Sequence, residues 1–449
     1  MKIAEKTLLE ISEDLAHGKA TARSLLFEAV EQIDLEEGEG AKTFLAVHRE
    51  RAHLEADYSD HLRARGQPRS ELEGLPISLK DLFDEGGEIT RAGSTALKDA
   101  FPAIQDCPVA ARLRAAGAII VGRTNMTEFA FSGLGLNPHY GTPKNPYDRE
   151  TGRIPGGSSS GAAVSVTDGM AAAAIGTDTG GSVRIPSALC GLTGFKPTQR
   201  RIPLDGVFPL SSSLDSVGPL AHSVACCELL DSVMAGERYD PVAPRPAEGL
   251  RLAVPQSFVL EDMDETVAKA FEAALTKLSK AGAIIENLPM KDFLELPRIN
   301  GGGGFATAES FAFHRTLMEK SGERYDPRVK VRIERGAKQS AADYIDLLNA
   351  RKDLQAHIDT HSAPFDALVM PTVPLVAPPI ADLENDEDTY HKTNTLMLRN
   401  PSVGNFLDRC AITLPCQEQG DPPVGLMLMG ETMDDKNLLA VAKGVERIF

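Results

Sequence analysis

The sequence of 449 residues contains no tryptophan, and aromatic residues make up only 5% of it. This scarcity disfavours a large aromatic-lined cleft. The six cysteines show no C-x-x-C spacing, and two of them, Cys226 and Cys227, are adjacent in a helical-looking run. This pattern indicates small core residues rather than a metal site or a disulfide framework. We therefore expect reduced thiols, no metal and no cofactor.

Positive charge is also scarce, because 47 Lys and Arg face 64 Asp and Glu and leave a formal net charge of −17. Such an excess of acidic residues argues against nucleic-acid binding by the chain on its own. There is no uninterrupted run of about 18 apolar residues, which argues against a membrane span. The first residues lack the apolar segment of a signal peptide. The sequence therefore predicts a cytoplasmic protein that binds neither nucleic acid nor membrane.

The most informative segment runs from Gly156 to Arg184 and reads GGSSSGAAVSVTDGMAAAAIGTDTGGSVR. Two glycine-flanked serine clusters lie in it, one at 158–160 and one at Ser182, which follows Thr179-Gly180-Gly181. Glycine lets a ligand approach the backbone closely, and successive N–H groups in such a turn can hold a bound anion or an oxyanion. An exposed serine beside this turn indicates acyl transfer, provided that a base can be found.

A serine hydroxyl needs a neighbouring base, and histidine, the usual one, is poorly placed in this chain. Only His139 lies in a turn-rich segment. The better candidate is Lys80, because 74–80 (GLPISLK) predicts a short strand in which Lys80 shares a face with Ser78 while Asp81 points away. A lysine buried among hydroxyls loses its proton readily, and a neutral amine is a competent base.

Three segments together resemble the amidase signature family of serine hydrolases: GLPISLKD, PGGSSSGAAV and GTDTGGSVRIPSALCG. They occur in the family's order, and Ser182 follows Ser158 by the family's interval of 24 residues. The resemblance is strongest from Gly74 to about Gly218 and continues more weakly to the closing PPVGLMLMG. It implies that the enzyme forms an acyl-enzyme without a cofactor.

The resemblance assigns the catalytic roles to three residues. Ser182 would be the nucleophile, Lys80 the base, and Ser158, preceded by a cis peptide bond, the serine that relays the proton between them. The oxyanion hole would consist of the backbone N–H groups of Thr179, Gly180, Gly181 and Ser182. Supporting positions would be Ser159, with a hydrogen bond inside the triad, and Asp178 with Arg184, a pair that holds the shape of the loop.

In the family, the stretch corresponding to 125–134 borders the acyl pocket, and the substrate-binding candidates there are Phe129, Phe131 and Ser132. Four consecutive glycines, Gly301–Gly304, suggest a mobile loop over the pocket. The acidic segment 382–388 (DLENDED) predicts a solvated surface loop without metal-ligand spacing.

The expected fold class is α/β, a single large domain with a mixed twisted β-sheet core covered by helices on both faces. Apolar stripes predict two helices within 1–35, and 250–288 predicts a strand, the helix Glu265–Ala281 and a further strand. Within a domain of residues 1–449 we distinguish an N-terminal helical region (1–70), the signature core (74–218) and the remaining α/β part (219–449).

The function expected from these residues is hydrolysis of a small carboxylic amide or a related C–N bond by an amidase, which analogy with the family predicts to be a homodimer. One alternative is the glutaminase-like A subunit of a tRNA-dependent amidotransferase, which would require partner subunits. A second is a catalytically silent scaffold. A third makes Ser159 the nucleophile of a G-x-S-x-G elbow, but the polar loop 148–155 stands where that motif requires a strand.

Overall fold

The computed structural model describes residues 2–449, and its centre is an 11-stranded sheet. The strands are β1 (Phe44–Val47), β2 (Pro76–Lys80), β3 (Ile119–Thr124), β4 (Ala173–Asp178), β5 (Thr193–Lys196), β6 (Ser216–Ala221), β7 (Arg251–Pro255), β8 (Ile284–Leu288), β9 (Ala367–Pro371), β10 (Ala411–Pro415) and β11 (Gly425–Met429). Their order across the sheet is β1-β3-β2-β4-β6-β5-β10-β11-β9-β7-β8.

Helices surround this sheet and are named in chain order. The α-helices are α1 (Leu8–Ala16), α2 (Ala22–Asp34), α3 (Gly40–Thr43), α4 (Arg49–Ala64), α5 (Pro108–Ala115), α6 (Ser160–Thr167), α7 (Arg184–Cys190), α8 (Val224–Ala235), α9 (Glu265–Lys280), α10 (Leu296–Ile299), α11 (Gly304–Ser321), α12 (Pro327–Glu334), α13 (Ala341–Ser362), α14 (Ile380–Asn385), α15 (Glu387–Phe406) and α16 (Asp435–Glu446). Short 3₁₀ turns occupy Ile3–Glu5, Thr95–Leu97, Glu128–Ala130, Gln199–Arg201, Lys291–Glu295, Gly322–Arg324 and Arg335–Lys338.

The sheet is mixed, and its parallel part places the predicted base. Strand β2 pairs in parallel with both β3 and β4, whereas β4 pairs antiparallel with β6. All five residues of β2 are buried, which means that both of its faces are covered, as is usual for parallel strands. The carboxyl ends of parallel strands meet at one edge of a sheet. The ends of β2 and β4 therefore bring Lys80 close to the residues that follow Gly176.

The expected fold class is confirmed as an α/β fold with a mixed sheet between helices. Helices α1 and α2 confirm the two predicted within 1–35, and β7, α9 and β8 confirm the predicted strand, helix and strand of 250–288. One sheet contains strands from each of the three predicted segments of the chain. Where a division between those segments falls stays a prediction. None of the helices of residues 2–449 is both long and apolar enough to cross a membrane.

The segment 382–388 is mostly exposed, as predicted, but the predicted loop is wrong, because the segment holds the end of α14 and the start of α15. Asp386 caps α15, and its carboxylate accepts hydrogen bonds from the N–H groups of Asp388 and Thr389. Acidic residues are favourable at a helix N-terminus, where they meet unpaired N–H groups and the positive end of the helix dipole. The acidic run therefore starts a helix here.

The glycine run also differs from its expectation. Gly304 is the first residue of α11, and Gly301–Gly303 form the turn that leads into that helix. The turn lines a surface groove of about 710 Å³ together with Arg335 and Lys338. None of the predicted catalytic residues lines this groove.

Candidate active site

Lys80 is completely buried at the end of β2 and contacts two hydroxyl groups. Its Nζ donates a hydrogen bond to Ser158 Oγ at 2.7 Å and another to Thr177 Oγ1 at 2.9 Å. The neighbouring Asp81 turns the other way and pairs with Arg123 at 2.7 Å. The expectation of a lysine among hydroxyls, with Asp81 pointing away, is confirmed.

The electrostatic environment of Lys80 favours the neutral amine. Burial lowers the pKa of Lys80 to about 7, although the negative charges of Asp178 and Asp215 oppose this shift. Desolvation penalises the charged form of any buried base. A substantial fraction of Lys80 is therefore unprotonated at neutral pH.

A backbone hydrogen bond holds Ser182 beside Ser159, the residue that follows Ser158. The Gly157–Ser158 peptide bond is cis, and the N–H of Gly157 donates to the carbonyl of Gly133 at 2.8 Å. The N–H of Ser159 donates to the carbonyl of Ser182 at 3.3 Å. Within residues 2–449, however, no hydrogen bond joins Ser158 Oγ to Ser182 Oγ. The structure thus contains the Lys80–Ser158 contact, while the second contact of the expected relay stays a prediction.

Ser159 has a different contact from the one expected for it. Its Oγ donates a long hydrogen bond to the carbonyl of Thr177 at 3.4 Å, and not to a hydroxyl of Ser158 or Ser182. Thr177, which lies in the motif GTDTGGSVRIPSALCG but was assigned no role there, thus contacts both Lys80 and Ser159.

The loop from Asp178 to Ser182 is held by the Asp178 carboxylate. Asp178 accepts hydrogen bonds from the N–H groups of Gly181 at 2.8 Å and Val183 at 3.1 Å. It also forms a two-pronged ion pair with Arg184 at 2.9 and 3.0 Å. Burial alone would raise the pKa of Asp178, but the guanidinium of Arg184 holds it well below its ordinary value. The predicted pair does hold the shape of the loop.

Helix α15 completes this arrangement with residues that sequence reasoning missed. Asn405 donates through Nδ2 to the Asp178 carboxylate at 2.9 Å and accepts from Arg184 at 2.7 Å. Gly181 has a φ of +125°, and a Cβ there would lie only 2.6 Å from Pro401 Cγ. Position 181 therefore requires glycine on two independent grounds.

Three backbone N–H groups of the loop remain available. Those of Thr179, Gly180 and Ser182 have no acceptor among residues 2–449, whereas that of Gly181 is already bound to Asp178. Thr179 and Ser182 keep 5% and 3% of their surface exposed, which leaves only a narrow access. Free N–H groups next to a serine can stabilise negative charge that develops on a carbonyl oxygen.

Thr179 is itself fixed by Asp215, another residue that the motifs did not mark. The hydroxyl of Thr179 donates to Asp215 Oδ1 at 2.6 Å. Burial raises the pKa of Asp215 to about 6, against the opposing effect of the hydrogen bonds that it accepts. Asp215 stands 33 residues beyond Ser182, outside any motif quoted above.

The three substrate-binding candidates lie together, and each has a partner within the protein. Phe129 packs in an aromatic cluster, with its ring centroid 4.5 Å from that of His314 and 4.8 Å from that of Tyr325. The hydroxyl of Ser132 donates to Asn394 Oδ1 at 2.9 Å. Phe131 lies beneath the guanidinium of Arg332, which is 4.5 Å from the ring centroid. Their contact with a substrate stays a prediction.

Arg332 is unusual among the arginines close to these segments. Its Nη1 donates to the carbonyl of Phe131 at 2.5 Å, and no carboxylate of the described chain lies within ion-pair distance of it. Burial lowers the pKa of Arg332, because no neighbouring carboxylate compensates fully for the lost hydration. By contrast, the buried Arg123 and Arg184 each bind a carboxylate. The guanidinium of Arg332 therefore keeps donors without a partner among residues 2–449. It contacts Phe131, in the segment that also binds Gly157 and Ser158 through its backbone.

The two other catalytic candidates, His139 as a base and Ser159 as an elbow nucleophile, lack the surroundings that these roles require. His139 Nε2 contacts Glu128 Oε1 at 2.8 Å, and no hydrogen bond joins it to a serine of the described chain. Ser159 precedes α6 and follows a loop rather than a strand. The strand-to-helix turn that an elbow requires is therefore missing at this position.

Comparison with known proteins gives a consistent result. The model of the Amidase family matches residues 30–439. The 2-amino-5-chloromuconic acid deaminase of Comamonas testosteroni is 38% identical over 407 residues, which cover 89% of this chain and 87% of that protein. The A subunit of the glutamyl-tRNA(Gln) amidotransferase from Thioalkalivibrio sulfidiphilus (strain HL-EbGR7) is 33% identical over 98% of this chain and 96% of its own length. A crystal structure of an amidase superposes with a TM-score of 0.88 at 31% identity, covering 98% of this chain and 99% of that one.

Asn405→Ala should destabilise the protein, because it removes a donor from the buried carboxylate of Asp178 and an acceptor from Arg184. We expect the free energy of unfolding to fall by about 1–3 kcal/mol, measured by urea denaturation. The control is Asn385→Ala on the exposed surface of α14, which should change it by less than about 0.5 kcal/mol. Equal effects of the two substitutions would contradict the structural role of Asn405.

Proposed function

Because the chain belongs to the amidase family, we propose that it hydrolyses a small carboxylic amide through an acyl-enzyme on Ser182. The observation that carries this proposal is the buried Lys80, whose pKa is lowered to about 7 and whose amine contacts Ser158. A base with a pKa near neutrality suits proton transfer at neutral pH. Ser182 lies beside Ser158 and beside three free N–H groups.

In the first half of the reaction, Ser182 Oγ attacks the amide carbonyl carbon. The proton of Ser182 passes to Ser158, whose own proton passes to the neutral Lys80 amine. The carbonyl oxygen becomes an oxyanion, which the N–H groups of Thr179, Gly180 and Ser182 stabilise. Lys80 then returns a proton through Ser158 to the leaving nitrogen, the C–N bond breaks, and the acyl group stays on Ser182 as an ester.

In the second half, water attacks the ester and gives up its proton through the same relay. The tetrahedral intermediate collapses, the proton returns to Ser182 Oγ, and the carboxylic acid leaves. Gly181 supports both halves of the reaction indirectly, because its N–H binds Asp178 and so fixes the loop from Asp178 to Ser182.

A carboxylate on the substrate is favoured by Arg332. This guanidinium is partly buried, has free donors, and stacks on Phe131 in the segment proposed to border the acyl pocket. Arginine binds carboxylates with strong, directional hydrogen bonds. The relative from Comamonas testosteroni is named for an acid, 2-amino-5-chloromuconic acid. We therefore propose an amide that also carries a carboxylate.

The second candidate function is that of an amidotransferase component, the glutaminase-like one, which is favoured by the 33% identity to such a protein over 98% of the chain. In that case the same serine would release ammonia for a partner subunit. Substantial turnover of small amides by the chain alone favours the first candidate. Strict dependence on partner subunits and aminoacyl-tRNA favours the second.

Ser182→Ala should abolish release of ammonia or amine from a panel of aliphatic amides, aryl amides, ureas and carbamates. The panel is assayed with the purified chain, and the best substrate identifies the preferred acyl group. The matched control is Ser279→Ala, on the exposed face of α9, which should leave kcat/KM unchanged. Turnover that persists in Ser182→Ala would contradict the assignment of the nucleophile.

The pH profile should follow the protonation of Lys80. Since the neutral amine is the active form and its pKa is lowered to about 7, kcat/KM should rise with pH through about 7. Below that pH it should fall about tenfold per unit. Lys80→Arg, which stays charged, should be inactive across the range. A rate that is constant from about pH 5 to 9 would contradict the role of Lys80 as the base.

Arg332→Met should discriminate between charged and neutral substrates. We expect kcat/KM for succinamic acid to fall about 10–100-fold, because a charge-assisted hydrogen bond is lost. The methyl ester of the same amide should change by less than about threefold, and Arg332→Lys should restore part of the activity on the acid. Equal losses on both substrates would contradict recognition of a carboxylate.

A further inference from the structure

A short serine-rich turn, Leu210–Asp215, lies against the loop that is proposed to form the oxyanion hole. The N–H groups of Leu214 and Asp215 both donate to the carbonyl of Ser211, at 2.9 and 2.8 Å, which closes the turn. The next residue, Ser216, donates through its hydroxyl to the carbonyl of Asp178 at 2.8 Å. The turn is therefore attached directly to the end of β4, where the oxyanion loop begins.

On one side the turn is held by its own Asp215. Asp215 Oδ2 accepts the N–H groups of Leu210 and Ser211, each at 3.0 Å, while Oδ1 accepts the hydroxyl of Thr179. Any shift of the turn would move Asp215, and with it Thr179. Thr179 carries one of the three free N–H groups beside Ser182.

On the other side the turn is held by Glu309 of α11, almost a hundred residues later in the chain. Glu309 Oε2 accepts the hydroxyl of Ser211 at 2.6 Å and the N–H of Ser213 at 3.0 Å. Its Oε1 accepts the hydroxyls of Ser213 at 2.5 Å and Tyr344 at 2.6 Å. No lysine or arginine of residues 2–449 lies within ion-pair distance of it. This carboxylate therefore binds four donors, three of which belong to the turn.

We propose that Glu309 is a positioning residue of the hydrolytic reaction, which holds the N–H of Thr179 in place through the Leu210–Asp215 turn. This inference rests on the proposed function, because it concerns the same oxyanion hole. Glu309 contacts neither the catalytic serines nor Lys80, and it acts through Ser211, Asp215 and Thr179 in sequence.

The four contacts suit a carboxylate better than a neutral polar group. An ionised carboxylate has only acceptor sites, about four in number, and can accept all four donors. A glutamine at 309 would offer one acceptor oxygen, and its NH₂ group could bind only hydroxyls that turn to accept, because the N–H of Ser213 can only donate. Glu309→Gln therefore keeps the size of the side chain and replaces charge-assisted hydrogen bonds to the turn with weaker neutral ones.

The first experiment compares steady-state kinetics of the wild-type chain and Glu309→Gln on the best amide of the panel. Removing one oxyanion donor costs about 10²–10³-fold in kcat, and we expect loosening of one donor to lower kcat about tenfold. KM should stay within about twofold, because binding of the unreacted amide does not depend on the oxyanion donors. The control is Glu319→Gln, on the exposed end of the same helix, which should leave both constants unchanged.

A double-mutant cycle with Thr179→Val tests the route of the effect. If Glu309 acts through Thr179, the double variant should lose no more kcat than Thr179→Val alone, since residues of one network are non-additive. Ser211→Ala, which removes one contact between Glu309 and the turn, should reproduce part of the loss and provides a second variant if Glu309→Gln folds poorly.

Each outcome bears on the inference. An active wild type whose kcat is unchanged by Glu309→Gln and Ser211→Ala overturns this inference alone. Fully additive losses in the cycle, or a rise in KM with kcat unchanged, also overturn it. A wild-type chain that hydrolyses no amide overturns the proposed function and this inference with it. A kcat-specific loss that is shared with Thr179→Val supports both.

Discussion

The burial of the Lys80 amine is the constraint on which the rest of the site depends. An ammonium group inside the protein would be stabilised most by a carboxylate contact, which would also keep it charged. The two carboxylates whose charges act on Lys80 are committed elsewhere, Asp178 to Arg184 and Asp215 to Thr179. Lys80 is left with two hydroxyls, Ser158 and Thr177. The basicity of Lys80 therefore depends on the other partners of Asp178 and Asp215, which leave the amine without a carboxylate contact.

The loop from Asp178 to Ser182, which is proposed to form the oxyanion hole, is short in sequence but is supported from distant parts of the chain. Asp178 closes the loop on itself by accepting N–H groups within it, and Asn405 fixes that carboxylate from α15. Asp215 fixes Thr179 from the other side. A glycine-rich segment has high conformational freedom when unfolded, and this freedom must be lost for the N–H groups to converge. The buried ionic and hydrogen-bonded contacts around the loop stabilise this single conformation.

Much of this could be predicted from local patterns. The hydrophobic alternation of 74–80 located Lys80, and the periodicity of 265–281 located α9. The resemblance to the amidase signature family, rather than a local pattern, implied the pair of Asp178 and Arg184. Asn405, Asp215 and Arg332 could not be found in this way, because each meets its partner across tens to hundreds of residues and sits in no recognisable motif. The acidic run at 382–388 was misjudged because charge alone does not distinguish a solvated loop from a helix start.

Helix α15 presents four residues of one face to the site, at 394, 398, 401 and 405. Asn394 accepts hydrogen bonds from Ser132 and Gly133, Leu398 packs against the positions of Gly133 and Gly180, and the last two contact the oxyanion loop. These positions span about 16 Å along the helix. The segment proposed to bind the acyl group and the loop proposed to stabilise its oxyanion therefore share one support. In evolutionary terms, a substitution on this face of α15 alters the support of both at once, whereas a substitution at Arg332 of α12 acts on the Phe131 segment.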